Sequence, residues 1–281
     1  MTVARVWIAG SGYVGTRLAG VLRAQGHEVW TLRRRPDTSD PQPVCGDLTR
    51  PDALSLPSNL THVVFCAGLK QAAPEAYEAL FVRGITGLLV ALERGKQPVR
   101  RVLFTSTTGV HHETEGRWID EETPPHPARD TARFYHQAEQ IAAAGPFPSV
   151  VARLSGIYGP GRDRLLRSVR DGTARRYPGA TRYLNHIHLD DAAGALAHLL
   201  LLPRAEPAYL VTDHEPADRN ALLCWIADAL RRDHPPWLDK SETPSFTRGG
   251  NKRCRNRRLL DSGYAFRYPT YREGYASLMG R

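Results

Sequence analysis

The chain has 281 residues, 41% of them hydrophobic and 24% charged, enough to bury a sizeable core without disulfides or a structural metal. Its formal charge is +9, carried by 34 Arg and 4 Lys, and it contains no run of 18 or more apolar residues. Disorder over most of the chain and a membrane-spanning helix are excluded on these grounds, which leaves a soluble, cytoplasmic globular protein as the expectation.

The opening residues, from Val3 to Ala9, form a β-branched-rich strand pattern rather than a signal peptide. Gly10-Ser11-Gly12-Tyr13-Val14-Gly15 follows at once, then a helical pattern to Gln25 built on Leu18, Ala19, Val21 and Leu22. Gly26 ends that helix, and His27 to Leu32 reads as a second strand. A short third strand precedes Gly46, and Thr61 to Cys66 is a fourth. Pro74 to Arg94 carries a long helical pattern, Arg100 to Thr105 a strand, Asp130 to Ala144 a helix, and Ser149 to Leu154 a strand.

Strands rich in Val and Ile that alternate with helices imply a parallel sheet covered on both faces. The right-handed crossover rule then gives an α/β, Rossmann-like, doubly wound parallel sheet. After Gly156 the pattern is broken by Gly and Pro, with two further helices at Asp190–Leu202 and Asn220–Arg231. The expected organisation is a nucleotide-binding domain over 1–155 and a small C-terminal substrate lobe over 156–281. Within that lobe, residues 183–212 or so return to the sheet.

Cys45, Cys66, Cys224 and Cys254 are far apart and form no CxxC pair, so reduced structural thiols and no metal site are expected. The arginines are scattered apart from Arg33-Arg34-Arg35 and the stretch from Lys252 to Arg258, and aromatics do not interleave with these runs. An acidic small-molecule ligand therefore fits the charge better than nucleic acid.

A GxGxxG spacing between a strand and a helix is the context in which each glycine has a separate task. Gly10 permits the tight turn, Gly12 lets the backbone approach a pyrophosphate, and Gly15 lets the helix pack on the strand. The helix N-terminus, at Tyr13 and Val14, offers N–H groups to the phosphates. Where an acidic residue at the end of the second strand would bind the ribose hydroxyl of NAD(H), this chain has Arg33 and Arg34, whose forked donors suit the 2′-phosphate of NADP(H). NADP(H) is thus preferred, with NAD(H) as the other option. Asp47 could accept from the adenine amine while Leu48 packs on the ring, although a turn or cap role for Asp47 is the plainer alternative. Cys66, Ala67 and Gly68 end the fourth strand at the sheet edge where such folds bind ligands.

With these pieces in place, the chain resembles the extended and atypical short-chain dehydrogenase/reductases, the NAD(P)-dependent epimerase/dehydratase family. The matching residues are Gly10–Gly15, Gly46-Asp47-Leu48, Phe104–Val110, Ser155–Gly161 and Ile187–Asp191, together with Trp118–Glu121 and Asn251-Lys252-Arg253 as in a short bacterial subgroup. The resemblance implies hydride transfer assisted by a Ser or Thr and a Tyr-x-x-x-Lys pair on a helix. Thr107 falls at the first position. Counting from Glu139 puts Thr131 and Tyr135 where Tyr and Lys should be; taking Tyr135 as the Tyr puts Glu139 at the Lys position. Neither register supplies the pair.

Tyr135 and His111 are the substitute acid/base candidates, since His titrates near neutrality. The resemblance also places Ser155 near the nicotinamide and Arg162, Asn185, His186 and Arg253 near a substrate. It implies a homodimer as an option, through helices that include the one bearing Tyr135. The expected function is an NADP(H)-dependent oxidoreductase or epimerase acting on a polar, anionic small-molecule carbonyl or alcohol. The alternative is a catalytically silent NADP(H)-binding sensor or regulator.

Overall fold

Along β1 (Arg5–Ala9) the last four residues are all buried, which is the two-faced burial that a parallel strand under helices on both sides requires. The computed structural model describes residues 3–35, 40–50, 54–69, 72–243 and 250–280. The chain divides into two compact units, one of Met1–Val110, Pro127–Arg153 and Ala193–Tyr209, the other of His111–His126, Leu154–Ala192 and Leu210–Arg281. The polar loop 111–126 thus belongs with the C-terminal segments, whereas the sequence reading kept it within 1–155.

In the first unit, β1 leads through the glycine turn into α1 (Tyr13–Ala24), then β2 (Glu28–Arg33), β3 (Pro43–Cys45) and β4 (His62–Phe65). The expected long helix over 74–94 is three pieces: α2 (Pro74–Tyr77), a π-helical turn (Glu78–Arg83) and α3 (Gly84–Arg94). β5 (Arg101–Thr107) follows; β6 (Trp118–Ile119) lies in the second unit, and the chain returns with α4 (Asp130–Ala144) and β7 (Ser149–Leu154).

The seven-stranded sheet, completed by β11 (Ala208–Val211), has the order β3-β2-β1-β4-β5-β7-β11. β1 pairs in parallel with both β2 and β4, so the winding direction reverses between β1 and β4. That reversal point is where doubly wound sheets leave a crevice at the strand C-termini. The core between the sheet and α3 is anchored by Phe65, Phe81 and Phe104, the ring centroids of Phe81 and Phe104 lying 6.2 and 5.3 Å from that of Phe65.

The second unit contains β8 (Gly156–Tyr158), α5 (Arg164–Arg170), β9 (Tyr183–Leu184) and β10 (His186–His188). α6 (Leu189–Leu201) starts in this unit and runs into the first. β12 (Ala217–Asp218), α7 (Arg219–Ala229), β13 (Arg253–Cys254), α8 (Arg257–Asp261) and α9 (Tyr271–Met279) complete it. Its strands form three two-stranded pairs, β10 with β8, β12 with β9 and β13 with β6. Its own core gathers Tyr158, Leu166, Leu222, Ile226, Tyr271 and Tyr275. No described helix is long and apolar enough to cross a membrane.

Candidate cofactor cleft and active-site residues

The three glycines of the turn differ in what surrounds them. Gly10 has φ +115°, and a Cβ there would lie 2.6 Å from the Ala67 backbone, so β1 and β4 touch at the reversal point only because this residue is glycine. A Cβ on Gly15 would come within 2.2 Å of the Gly10 carbonyl oxygen, which closes α1 onto the strand. A Cβ on Gly12 would meet nothing within 4 Å. No protein atom demands glycine at position 12, so the open space above it is a cradle of the kind a pyrophosphate needs. Gly12 caps α1 with no side-chain hydrogen bond, and the 12-residue helix presents the positive end of its dipole at the turn.

A cleft of about 1210 Å³ opens at this turn. Of the residues expected to hold a cofactor, Gly10, Gly12, Arg33, Arg34, Asp47, Leu48, Ala67 and Gly68 line it. Tyr13, Val14, Gly15 and Cys66 are not among its lining residues; Val14, Gly15 and Cys66 are buried behind it. Burial pushes the Cys66 thiol up to about 12, so it stays a neutral packing group.

Arg33 does not extend into solvent. Its Nε donates to the Ser11 hydroxyl at 2.7 Å and its Nη2 to the Thr16 hydroxyl at 3.1 Å, which draws the guanidinium across the turn toward the start of α1. Three further cations line the cleft, Arg35, Arg50 and Arg83, against a single acid among the described residues, Asp47. The last two escaped the sequence reading because they lie 17 and 50 residues beyond Arg33, and nothing in their local sequence marks them.

One Asp47 oxygen accepts from the Thr49 backbone N–H at 2.9 Å and from its hydroxyl at 2.8 Å, a local turn that leaves the other oxygen without a hydrogen bond among the described residues. Partial burial raises the Asp47 carboxyl, but the Thr49 bonds and the Arg34 and Arg50 charges outweigh it and hold the group below the usual carboxylate range.

Thr107 ends β5 and accepts the Gly109 N–H at 3.0 Å, making the turn into Val110. Tyr135, on α4, packs its ring against Phe81 at a centroid distance of 4.0 Å and edge-on to Tyr77 at 6.5 Å. Burial, then the neighbouring Tyr77 and Cys66, raise its phenol well above the ordinary value, so the group is held protonated.

One turn along α4, Glu139 is buried, accepts from the Ser106 hydroxyl and is gripped by Arg153. Ser106, Glu139 and Arg153 come from β5, α4 and β7 and form a polar lock behind the candidate residues. Only Glu139 was marked by sequence, as a register point.

His111 lies in the second unit, buried, with its carbonyl accepting from the Lys252 ammonium at 2.8 Å. Lys252 is itself buried, and burial lowers its pKa. Sequence reading placed Lys252 only inside a basic run, with no reason to bury it.

Of the expected substrate residues, Arg253 is braced between Trp118 and Tyr183, its guanidinium 4.9 Å from each ring centroid, and its Nε donates to the Gly116 carbonyl. Arg162 is exposed in a tight loop closed by its backbone pairing with Gly159. Asn185 uses both ends of its amide on the backbone of 252–254, donating to the Lys252 carbonyl and accepting from Cys254 N–H. His186 is buried edge-on to Tyr158 and Tyr275, and burial alone pushes its ring down to about 4. Ser155 is buried with an unpartnered hydroxyl.

The model of the NAD dependent epimerase/dehydratase family matches residues 6–211. A solved candidate NAD-dependent epimerase/dehydratase from Methylobacillus flagellatus is 35% identical, covers 99% of this chain and 98% of its own, and superimposes with a TM-score of 0.82. The Streptomyces sp. protein named 3-diazoavenalumate denitrifying reductase is 28% identical over 96% of this chain and 98% of its own length. The structure of the human epimerase family protein SDR39U1 (isoform 2) with NADPH, 21% identical over 99% of both chains, has a TM-score of 0.81 and shares the fold.

Proposed function

The chain belongs to the NAD-dependent epimerase/dehydratase family of NAD(P)-binding proteins, and on that premise we propose that it is an NADP(H)-dependent oxidoreductase or epimerase acting on a polar, anionic small-molecule carbonyl or alcohol. The observation that carries the preference for the phosphorylated dinucleotide is the charge of the cleft, five arginines against one aspartate among the described residues, with Arg33 drawn over the glycine turn. Arginine forks match a phosphate, and Asp40, which meets Thr31 of β2, is already paired with Arg23. The human relative solved with NADPH and the Streptomyces relative named a reductase support the same reading.

In this reading the N-terminus of α1 and the Gly12 backbone take the pyrophosphate, Arg33 and Arg34 the 2′-phosphate, and the free oxygen of Asp47 the adenine amine, with Leu48 beneath the ring. The nicotinamide, when bound, supplies the hydride donor or acceptor. The chain's own task is to manage the proton at the substrate oxygen. A phenol held protonated by burial has a proton to give and none to take, so Tyr135 serves the reductive direction, with Thr107 as hydrogen-bond partner.

A silent NADP(H) sensor is the second reading, favoured by the Glu139 carboxylate standing one turn from Tyr135 where a cation would be expected. The deciding experiment is fluorescence titration with NADPH and NADH, followed by NADPH consumption with a panel of anionic carbonyls. Tighter NADPH binding with turnover supports the enzyme, and loss of turnover in Tyr135→Phe supports its role. Binding without turnover across the panel favours the sensor, and binding of neither nucleotide removes both readings.

A further inference from the structure

β2, β1, β4 and β5 run parallel, so the residues at their N-terminal ends meet at the edge of the sheet away from the glycine turn. A second cavity, of about 540 Å³, opens there, wholly within the first unit. His27 enters it ahead of β2, Val3 ahead of β1, His62 at the start of β4, and Arg100 and Arg101 at the start of β5. Residues 200–203, at the end of α6, supply the facing wall.

The charge of this cavity is one-sided. Two arginines and two histidines line it, and no acid does among the described residues. Glu28, next to His27, is committed to Arg5. Burial first, then Arg101, Arg100 and His27, push the His62 ring down to about 4, so every neighbour acting on that ring opposes positive charge.

Two of the donors are fixed. Arg101 Nη1 donates to the Leu199 and Leu200 carbonyls at 3.0 and 3.2 Å and to that of Leu202, which covers the negative end of α6. Its Nε and Nη2 have no hydrogen-bond partner among the described residues, and these two atoms form the edge that matches both oxygens of a carboxylate. His27 accepts the Ala4 N–H on Nδ1 at 3.2 Å, so its neutral ring carries the proton on Nε2, a second donor. Arg100 is exposed and adds positive field rather than a fixed contact. Opposite these groups the wall is apolar, with Leu200, Leu202 and Pro203, and Val3 remains half-exposed.

We propose that this cavity binds a small monocarboxylic acid with an apolar body, its carboxylate on the Arg101 fork and the His27 Nε2–H, its body against Val3 and residues 200–203. One fixed guanidinium suits one negative charge, and an apolar wall gives nothing to a second. That contrast separates the site from the five-arginine cleft at the glycine turn, and it stands whether or not the nicotinamide reading does.

The test is calorimetric titration of octanoate, octanamide and acetate into the full-length protein at about 0.15 M salt, repeated for octanoate with Arg100→Glu, Arg101→Lys and Arg33→Asp. Arg100→Glu reverses a charge at an exposed position, and Arg101→Lys keeps the cation at the end of α6 but removes the fork. Unchanged melting verifies folding, and Arg100→Glu carries the test should Arg101→Lys be unstable. Octanoate is expected to bind at least about tenfold more tightly than octanamide or acetate, to survive Arg33→Asp, and to weaken about tenfold or more in each of the other two variants. No octanoate binding to the native protein overturns the proposal. Octanamide binding as well would reduce the site to apolar surface, and acetate binding as well would reduce it to a general anion site; either result overturns it. So does octanoate binding that is lost in Arg33→Asp and indifferent to Arg100→Glu, since the acid would then sit at the glycine turn.

Discussion

Arg153 donates to both oxygens of the Glu139 carboxylate, Nε to Oε1 at 3.1 Å and Nη2 to Oε2 at 2.8 Å, with both residues buried. A forked pair of this kind ties α4, which carries Tyr135, to β7, and the Ser106 hydroxyl adds β5 to the same carboxylate. The family register that places Glu139 at a catalytic lysine position is thereby given a structural meaning. Removing the carboxylate strips a buried guanidinium of its counter-charge.

Glu139→Ala should therefore destabilise the protein by about 3–5 kcal/mol, the usual cost of breaking one half of a buried pair. Equilibrium urea unfolding measures it. A loss below about 1 kcal/mol, the range of exposed pairs, would show that the lock does not hold α4.

The glycines of the turn should separate folding from binding. Gly12→Ala places its methyl in open space and should melt like the native protein, yet bind NADPH about tenfold or more weakly because the pyrophosphate approach is blocked. Gly15→Ala drives a methyl toward the Gly10 carbonyl and should cost about 1–3 kcal/mol of stability or more. Thermal melts paired with nucleotide titrations decide the matter; the reverse pattern would mean that the cleft above Gly12 is not the dinucleotide site.

Arg33→Asp replaces a forked donor with a carboxylate facing the same turn. NADPH affinity should drop by about ten- to a hundredfold while NADH affinity holds or improves, a swap of charge-assisted attraction for repulsion at one phosphate. Parallel fluorescence titrations read the ratio. Equal weakening of both nucleotides would remove Arg33 from the 2′-phosphate and leave it only the bracing of Ser11 and Thr16.

Acid should find a weak point at His186. Its ring is buried and pushed from the ordinary 6.5 down to about 4, so the folded state holds it neutral. A lowered imidazole pKa gives stability that is complete above about pH 6.5 and lost as the pH falls toward 4. A gap of about 2.5 units corresponds to a few kcal/mol, on the order of 3. Asp213 works the other way: burial raises its carboxyl, and acid relieves it. Comparing His186→Gln with the native protein, both retaining Asp213, isolates the histidine. Urea midpoints at pH 7.5 and 4.5 should converge in the variant relative to the native protein; an unaltered acid loss would place the sensitivity elsewhere, with His62, also pushed down to about 4 by burial and then by Arg101 and Arg100, the next group to replace.

How much of this was legible in the sequence follows from what is local and what is not. The strand-glycine-helix opening, the helix at Asp130–Ala144 and the strand at Ser149–Leu154 are written in neighbouring residues, and the structure reproduces those last two bounds. α9 also had a local signal, since Thr270 and Glu273 form a capping box, but the Gly- and Pro-rich surroundings hid it. α5 did not stand out, because its arginines face outward and only Leu166 and Val169 are buried. The Glu139–Arg153 lock, the Asn185 clasp on 252–254 and the burial of Lys252 join residues 14, 67 and 141 positions apart in the chain. No window of sequence contains such pairs, so only the folded chain shows them.

The π-helical turn at Glu78–Arg83 deserves a last thought as a matter of phase. One additional residue in a turn rotates everything after it by about 100° relative to an uninterrupted helix. Ala79 and Arg83, four residues apart, line the cofactor cleft, while Phe81 between them is sunk among the aromatic rings of the core. Straightening this turn into an ordinary helix with every residue kept would set the side chains of α3 against the wrong neighbours. The cleft wall and the core cannot be altered separately along this stretch, because one irregularity sets the facing of both.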